Sequence, residues 1–435
     1  MDLDQKLKLL RASAAKTRCD SGLEHQLKYL LKLQKRERTL AGERARCPIE
    51  QCVEGEVSRN VLGEFFLARQ TLPFGRPYGS SRIGDVAFAD LSPLNLFLPG
   101  QTLPESSSIL YLDTETTGLA GGTGTCAFMI GMGRAEGSGF RVQQYFLREL
   151  TEEKAALRAL EDALASCEAV VTFNGKTFDL PLLETRYRLA RMRSPFERLI
   201  HLDLLHPARR MWKLRLESCE LKRLEREVLA VNRHGDVDGA DIPRLYFDYL
   251  RGGNARGLEA VFYHNALDIV TLAALAAALS ENLRQGGENG VADGRDLFSL
   301  SRIFHCAGES DRAVAACCKA LDRGLPESIE PRALAHLAAQ HKRQGNYRAA
   351  AELWRELVRR ETPDSIAAYE QLAIYYEHRE RDVAKAVEFA EAALDRLRGQ
   401  PNSCLAGRRL SHRLNRLRRK ASFQTQSGER QTLIG

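Results

Sequence analysis

Four carboxylates in the middle of the chain have the types and the spacing of a metal-binding site. Asp113 and Glu115 stand two positions apart at the end of the apolar run SILYLD, so both side chains lie on one face of a strand. Asp179 follows the strand-like run EAVVTFNG and begins a helical pattern, and Asp268 lies within the helical pattern FYHNALDIVTLAAL. Because adjacent like charges are costly without a cation between them, these positions predict metal ligands that converge at one edge of a sheet.

The residue types indicate which chemistry such a site would perform. Carboxylate oxygens suit Mg²⁺ or Mn²⁺, and two such ions can flank a scissile phosphate, one activating water and the other stabilising the leaving oxygen. His264 lies four positions before Asp268 on the same helical face, and its ordinary pKa suits it to accept the proton of the water. The pattern predicts hydrolysis of a phosphodiester bond, with His264 as the general base.

Each of these residues also has a structural interpretation when it is taken alone. Asp113 and Glu115 can mark a strand that enters a turn, and Asp179 can cap its helix. His264 and Asp268 can form a surface pair at helical spacing. Their combination in this order and on these elements favours the metal site.

The elements that must position these residues follow from hydrophobic periodicity. SILYLD, CAFMIGMG and FRVQQYFL predict three strands of a meander, and TEEKAALRALEDALASC predicts a helix after them. A fourth strand (EAVVTFNG), a second helix (FDLPLLETRYRLARM), a fifth strand (RLIHLDLL) and a largely helical segment follow. This order predicts an α/β fold over residues 106–282, a mixed sheet with flanking helices.

The C-terminal part has a different pattern, with small residues at helix-packing positions. Aligning Ala313, Ala349 and Ala386 gives spacings of 36 and 37 residues. These spacings are close to the period of about 34 residues of a tetratricopeptide helix–turn–helix unit, and a turn at Gly345 delimits the middle unit. The pattern predicts an all-α, tetratricopeptide-like repeat domain over residues 295–396, with an unrelated helical bundle as the alternative.

Two further regions complete the predicted organisation. Residues 1–105 begin as a polar, basic helix to about residue 46 and continue as irregular or short β structure broken by Gly, Pro and Ser. Residues 397–435 form a basic tail that we expect to be flexible, since residues 396–420 carry nine Lys or Arg and no acid. Such a charge run either meets nucleic acid or is a solvated surface.

Composition limits the class of protein. The 435 residues, 44% apolar and 28% charged, predict two or three globular domains. The N-terminal segment lacks the apolar core of a signal peptide, and the longest apolar run, at 271–279, is too short to cross a bilayer. The ten cysteines form no disulfide or zinc framework. We therefore expect a cytoplasmic protein without a membrane partner.

The stretch around the fifth strand offers two further candidates. In HLDLLH (201–206), His201 and Asp203 share a strand face, which predicts a wall of the site rather than a metal site. The cations and the aromatic ring of RRMWKLR (209–215) suit the phosphates and bases of a single strand, or equally an amphipathic helix whose long stems cover the core.

Three stretches resemble the motifs of a known superfamily. DTETTG (113–118) resembles the first motif of the DEDD superfamily of 3′–5′ exonucleases, which have a ribonuclease H-like fold. FNGKTFDLPLL resembles the second motif, as it occurs in proofreading domains of family B DNA polymerases, and HNALD resembles the third. This resemblance implies two metal ions on the four carboxylates and His264 as general base, with contacts to the terminal nucleotide from Thr116, Gly118 and Leu119.

Two assignments within these motifs have alternatives. The superfamily's His-type pattern places the base five positions before the last Asp, and its Tyr-type pattern places it four before. Here the fifth position back holds Tyr263 and the fourth holds His264. Helical spacing favours His264, with Tyr263 as the alternative base. Asn174 is a candidate to contact substrate or a metal-bound water, or to stabilise a turn.

The whole chain resembles the YprB-like family of ribonuclease H-like proteins, through HLDLLHPARRMW, SCELKRLEREVL and the C-terminal repeats. We therefore predict a metal-dependent exonuclease that removes nucleotides from single-stranded 3′ ends and binds a protein partner through its repeats. A non-catalytic nucleic-acid-binding adaptor is the alternative from another class. A structure-specific endonuclease on the same fold is a third possibility.

Overall fold

The computed structural model describes residues 46–118, 124–287, 293–360, 365–397 and 404–432. The helix predicted for residues 1–46 lies outside these ranges except for Arg46. Leu119 and most of the glycine-rich run after it also lie outside them.

A mixed β-sheet forms the centre of the described structure. Its seven strands are β1 (Glu56–Asn60), β2 (Gly63–Pro73), β5 (Ile109–Thr116), β6 (Ala127–Glu136), β7 (Gly139–Phe146), β8 (Ala169–Thr172) and β9 (Ile200–Asp203), while β3 (Pro77–Tyr78) and β4 (Ser81–Arg82) form a separate hairpin. The strand order is β1-β2-β7-β6-β5-β8-β9. β5, β6 and β7 are the predicted antiparallel meander, and β8 and β9 run parallel to β5, so the α/β fold is confirmed.

The N-terminal part of the sheet departs from the predicted division at residue 105. β2 pairs with β7 from Phe66–Phe146 to Pro73–Gly139, so residues before 106 complete the same sheet. Phe65 packs with the core on one face of the sheet, and Phe66 packs with a second cluster on the other. Because both faces of this strand are buried from Phe65 to Ala68, that part of its sequence lacks the alternation that identifies a half-exposed strand.

Helices cover both faces of the sheet, as predicted. They are α1 (Ile83–Ala87), α2 (Glu153–Leu164), α3 (Asp179–Ala190), α4 (Leu205–Leu216), α5 (Leu221–Leu224), α6 (Ile242–Gly252) and α7 (Glu259–Gln285). α2 and α3 share a core with Leu110 and Leu112 of β5, whereas α7 shares one with Ile109 and Tyr111 of the same strand. The alternation of β5 therefore divides its side chains between the two helical layers.

Helix α7 is the long apolar helix of the chain. By length and composition alone, the segment Arg256–Gln285 could cross a membrane. However, 67% of its most apolar stretch is buried against the rest of the protein, as in the central helix of a globular core. α7 also carries Asp268 and His264, so its packing on the sheet sets the position of both.

Three successive helix pairs follow and confirm the predicted all-helical C-terminal region. They are α8 (Gly294–Cys306) with α9 (Ser310–Arg323), α10 (Glu330–Arg343) with α11 (Tyr347–Arg359), and α12 (Ser365–Tyr375) with α13 (Val383–Leu397). The residue equivalent to Ala313 and Ala386 is Ala350, not Ala349 as aligned from the sequence. All three are fully buried, whereas Ala349 is partly exposed. Ala349 and Ala350 are adjacent in the sequence, and either fits the repeat spacing. The sequence alone therefore cannot show which of them is the equivalent residue.

The last described helix, α14 (Cys404–Thr432), corrects the prediction of a flexible tail. Leu410, Leu414 and Leu417 form an apolar stripe at helical spacing and are buried against the preceding helices. Arg416 and Lys420 each approach a carboxylate oxygen of the buried Glu377 at 2.6 Å. The basic run is thus the flank of a packed helix, and part of its charge neutralises a buried acid.

The helical region is joined to the α/β part by a common core. Trp212 of α4, only 1% exposed, belongs to one apolar cluster with Phe298 of α8. Arg215 Nε lies 2.7 Å from Asp296 Oδ2 across the same contact. The alternative interpretation of residues 209–215 is therefore correct for this ring, which covers the core and cannot stack on bases.

Candidate active site

Strand β5 carries two of the predicted carboxylates onto the face covered by α7. Ile109 and Tyr111 are buried on that face, and Asp113 and Glu115 continue the same alternation towards the end of the strand. Asp113 pairs with Gly131 of β6. The two acids thus leave the sheet where α7 crosses it.

Asn265 of α7 orients Asp113. Its Nδ2 donates to Asp113 Oδ2 at 2.9 Å, and its Oδ1 accepts from Gln144 Nε2 at 3.0 Å. Gly131 provides the space, since a Cβ there would lie 2.0 Å from Asn265 Oδ1. The sequence analysis missed this positioning residue, whose signal was a polar side chain between His264 and the apolar stretch of the same helix.

Asp179 reaches the site from the first turn of α3. Thr114, between the two acids of β5, donates from Oγ1 to Asp179 Oδ1 at 2.5 Å. Burial raises the pKa of Asp179 to about 6, although the bond from Thr114 opposes the shift. The end of β5 therefore has carboxylates on both of its faces.

Asp203 shapes the loop that delivers Asp179. Its carboxylate accepts from the backbone N–H of Asn174 at 2.7 Å and of Lys176 at 3.0 Å. Asn174 has φ of 65°, a left-handed conformation that Asn tolerates better than most residues. The structure shows a backbone role for Asn174 in this turn, and its side-chain contact with substrate stays a prediction. Asp203 therefore stabilises the loop backbone, which is a more specific role than the predicted wall of the site.

His264 and Tyr263 point in different directions from α7. His264 is 6% exposed, and its Nε2 lies 3.4 Å from Asp268 Oδ2. Its Nδ1 lies 2.7 Å from Asp236 Oδ1. Tyr263 is 44% exposed. The structure therefore brings His264, and not the tyrosine ring, into the buried charge cluster.

Arg233 is a buried cation that the sequence analysis did not identify. Its guanidinium contacts Asp268 and lies 2.7 Å from both carboxylate oxygens of Glu225 and 3.2 Å from Asp236 Oδ2. The segment that carries Arg233 and Asp236 joins the turn after α5 to α6, far from Asp268 in sequence. Only the fold places this cation beside the predicted metal ligand.

Burial and neighbouring acids raise the pKa of two carboxyl groups of the site. Burial, followed by the charges of Asp268, Glu115 and Asp179, raises the pKa of Asp113 well above its usual range. Burial also raises the pKa of Glu115 to about 8, with His264 opposing the shift. Asp113 and Glu115 therefore lie in a region of low dielectric, within electrostatic reach of Asp179 and Asp268.

This donor set fits a hard divalent cation. Glu115 has no hydrogen-bond or ion-pair partner within the described ranges, and Asp113 accepts a single bond from Asn265. In those same ranges no three His, Cys, Asp or Glu side chains are already closed around one metal position. The reason is visible in their contacts, since Asp179 and Asp268 are turned towards Thr114 and Arg233. The side chains that would hold a metal are Asp113, Glu115, Asp179 and Asp268.

Potential substrate contacts lie around the carboxylates. Thr116 Oγ1 donates to the carbonyl of Gly118 at 2.9 Å, which stabilises the turn after β5. The predicted contact from Leu119 falls outside the described residues. Phe178, next to Asp179, is 53% exposed and was not among the predicted residues. Its position directly before the predicted ligand Asp179 is the signal that could have identified it.

Comparison with known proteins agrees with the fold. Residues 110–280, which contain all four carboxylates and His264, match the RNase_H_2 family of the RNase_H superfamily. The chain therefore contains an RNase H superfamily domain, which indicates a nuclease, and nucleases of this kind generally use divalent metal ions.

A relative extends the comparison beyond this domain. The uncharacterized protein YprB of Bacillus subtilis (strain 168) is 31% identical over 323 residues, which cover 73% of this chain and 76% of YprB. The chain belongs to the YprB family, as its motifs and C-terminal segment predicted.

Proposed function

We propose that the chain is a metal-dependent 3′–5′ exonuclease of the DEDD type that acts on single-stranded nucleic acid. The observation that carries this proposal is the convergence of Asp113, Glu115, Asp179 and Asp268 around the end of β5, with His264 beside them. Two Mg²⁺ or Mn²⁺ ions on these carboxylates would polarise the scissile phosphate and lower the pKa of the attacking water.

The protein's own residues account for the rest of the chemistry. Asp236 accepts from His264 Nδ1, so the lone pair of the neutral ring lies on Nε2, which faces Asp268. Burial alone would lower the pKa of His264, but Asp268, Glu115 and Asp236 raise it to about 9. Neutralising these carboxylates returns the ring towards its ordinary pKa, at which it can accept a proton from water.

Two exposed aromatic rings flank the carboxylates and would receive the end of the substrate. Phe178 directly precedes Asp179, and Tyr263 directly precedes His264. Nucleobases of a single strand stack on such rings without regard to sequence, and each stack is worth about 1–3 kcal/mol. This placement supports a single-stranded end rather than a continuous duplex as the substrate.

The helical repeats would hold a protein partner. A cavity of about 640 Å³ opens beside the turn at Gly345, where Tyr347, Tyr375 and Arg379 contribute its walls. The guanidinium of Arg379 lies 3.6 Å from the centre of the Tyr347 ring. Aromatic and arginine side chains of this kind are typical of protein-binding surfaces.

End-labelled single-stranded DNA and RNA, with Mn²⁺, Mg²⁺ or EDTA, test the activity. We expect metal-dependent shortening from the 3′ end, lost by at least a thousandfold in Asp113→Asn and slowed by about a hundredfold in His264→Ala. Asp248→Asn, on the exposed face of α6, is the matched control and should retain activity.

The pattern of products separates the proposal from its alternatives. Internal cuts would identify an endonuclease. Binding of single strands without cleavage under any metal condition would identify a nucleic-acid-binding adaptor. A His264→Ala variant with normal rate would transfer the base role to Tyr263.

A further inference from the structure

Arg233 occupies an unusual position for an arginine, inside the carboxylate cluster. Its side chain is only 7% exposed, and its guanidinium contacts Glu225, Asp236 and Asp268. Of these three acids, Asp268 alone belongs to the proposed metal ligands. The Arg233 guanidinium is therefore shared between one proposed metal ligand and two acids that lie outside the ligand set.

Asp268 differs in this respect from the other proposed ligands. One of its oxygens contacts Arg233, and the other lies 3.4 Å from His264 Nε2. Asp113 accepts only from the neutral amide of Asn265, at 2.9 Å, and Glu115 has no partner in the described ranges. Among the described residues, Asp268 is therefore the proposed ligand that an arginine contacts directly, while the charge of His264 acts on both Asp268 and Glu115.

Most of the bonds that hold Arg233 in place do not involve Asp268. Glu225 holds it through two bonds of 2.7 Å and is itself 1% exposed. Asp236 is held in turn by Lys222 Nζ at 2.9 Å and by His264. The contact with Asp268 is the peripheral member of this network, so it is the one that an incoming cation can replace.

We propose that Arg233 is an internal counter-ion that competes with a divalent cation for Asp268 and thereby lowers the affinity of the site for that cation. This inference rests on the metal site of the proposed function. A cation that takes Asp268 as a ligand binds only when the guanidinium withdraws from that carboxylate, and its affinity is lower for that reason.

Binding of Mn²⁺ to the metal-free chain, followed by electron paramagnetic resonance of the free ion, tests the proposal without an activity assay. Arg233→Lys should lower the dissociation constant for Mn²⁺ at least fivefold relative to the wild type. A lysine retains the charge beside Glu225 but lacks the planar fork that also reaches Asp268.

A second variant keeps the test valid if the lysine variant does not fold. The double variant Arg233→Gln with Glu225→Gln removes both charges of the buried pair and retains two hydrogen-bonding amides. It should also lower the dissociation constant for Mn²⁺. Arg215→Lys is the matched control, because Arg215 forms a partly buried pair with Asp296 on α8, away from the carboxylates, and it should leave the Mn²⁺ affinity unchanged.

The opposite results would overturn the proposal. A Mn²⁺ affinity that is unchanged or lower in both variants, with melting temperatures near the wild type, would show that Arg233 positions Asp268 instead. Unchanged Mn²⁺ binding with weaker binding of a single-stranded oligonucleotide would show that Arg233 serves the substrate. Absence of any Mn²⁺ binding in the wild type would reject the metal site itself, and with it the proposed function.

Discussion

At the scale of single residues, the site is a source of instability in the metal-free chain. The pKa of Glu115 rises from 4.5 to about 8 on folding, chiefly because of burial. A carboxyl group with a raised pKa binds more protons in the folded than in the unfolded chain. The free energy of unfolding must therefore fall as pH rises through this window, by up to about 1.4 kcal/mol per pH unit for one such group.

His264 adds to the trend at higher pH. Its pKa rises from 6.5 to about 9, so its stabilising charge is present below the lower value and is lost as pH passes the upper one. Both groups therefore weaken the metal-free fold in the same direction between about pH 5 and pH 9.

We predict that the melting temperature of the metal-free chain falls across this range and that Mn²⁺ raises it most at the alkaline end. Thermal unfolding followed by circular dichroism, at several pH values with EDTA or Mn²⁺, provides the measurement. Glu115→Gln should flatten the pH dependence, whereas Asp248→Asn on the surface should not. An unchanged slope in Glu115→Gln would contradict this account.

The residue scale also shows what a sequence can reveal about a site. The carboxylates and His264 were identified because their chemical type and local spacing are visible in the sequence. Arg233 and Asn265 were not, because their roles depend on partners that are distant in the chain, and for the same reason the bonds from Asp203 to the loop backbone were not foreseen. A positioning residue acquires its meaning only through the contact that the fold creates.

At the scale of elements, the approach of α7 to β6 determines the position of Asp113. Gly131→Ala would place a methyl group against Asn265, whose amide has no room to retreat because Gln144 also binds it. We predict a loss of about 1–3 kcal/mol in stability and at least a tenfold loss of Mn²⁺ affinity. Urea unfolding and Mn²⁺ titration of the variant are the measurements.

Gly75→Ala is the control for this substitution, because nothing lies within 4 Å of a Cβ at that position. It should leave both stability and metal affinity unchanged. A Gly131→Ala variant that unfolds earlier but binds Mn²⁺ normally would show that α7 shifts without disturbing Asp113.

Elements were predicted well where one chemical pattern dominates. The strands of the meander and the helices after them have apolar runs of the right lengths, and these predictions are confirmed. The length of β2 and its place in the central sheet were missed, because burial on both faces from Phe65 to Ala68 removes the alternation from that part of its sequence. α14 was missed because its leucines are few among many cations, whose charge suggested a solvated tail.

At the scale of the whole molecule, the α/β part and the helical repeats share buried side chains. The two tryptophans report on different places, since Trp212 of α4 lies in the core shared with α8 and Trp354 lies in α11 within the repeats. A common core predicts that both parts lose their structure together, although chains of this length often unfold in steps.

We therefore predict coincident unfolding midpoints for the two parts. In Trp354→Phe, fluorescence reports on Trp212, and in Trp212→Phe it reports on Trp354. Each midpoint in urea should agree with that of circular dichroism on the same variant. Earlier loss of the Trp354 signal would instead show that the repeats unfold as an independent unit.

The contact between α4 and α8 also has a geometric consequence. Trp212 and Phe298 share a core, and Arg215 is paired with Asp296. These contacts fix the orientation of the first repeat relative to the α/β part. A partner held by the repeats would stand at a set distance from the end of β5. If that partner also grips the nucleic acid, degradation would stop when the strand spans only this gap, and the chain would act as a ruler that leaves fragments of one length.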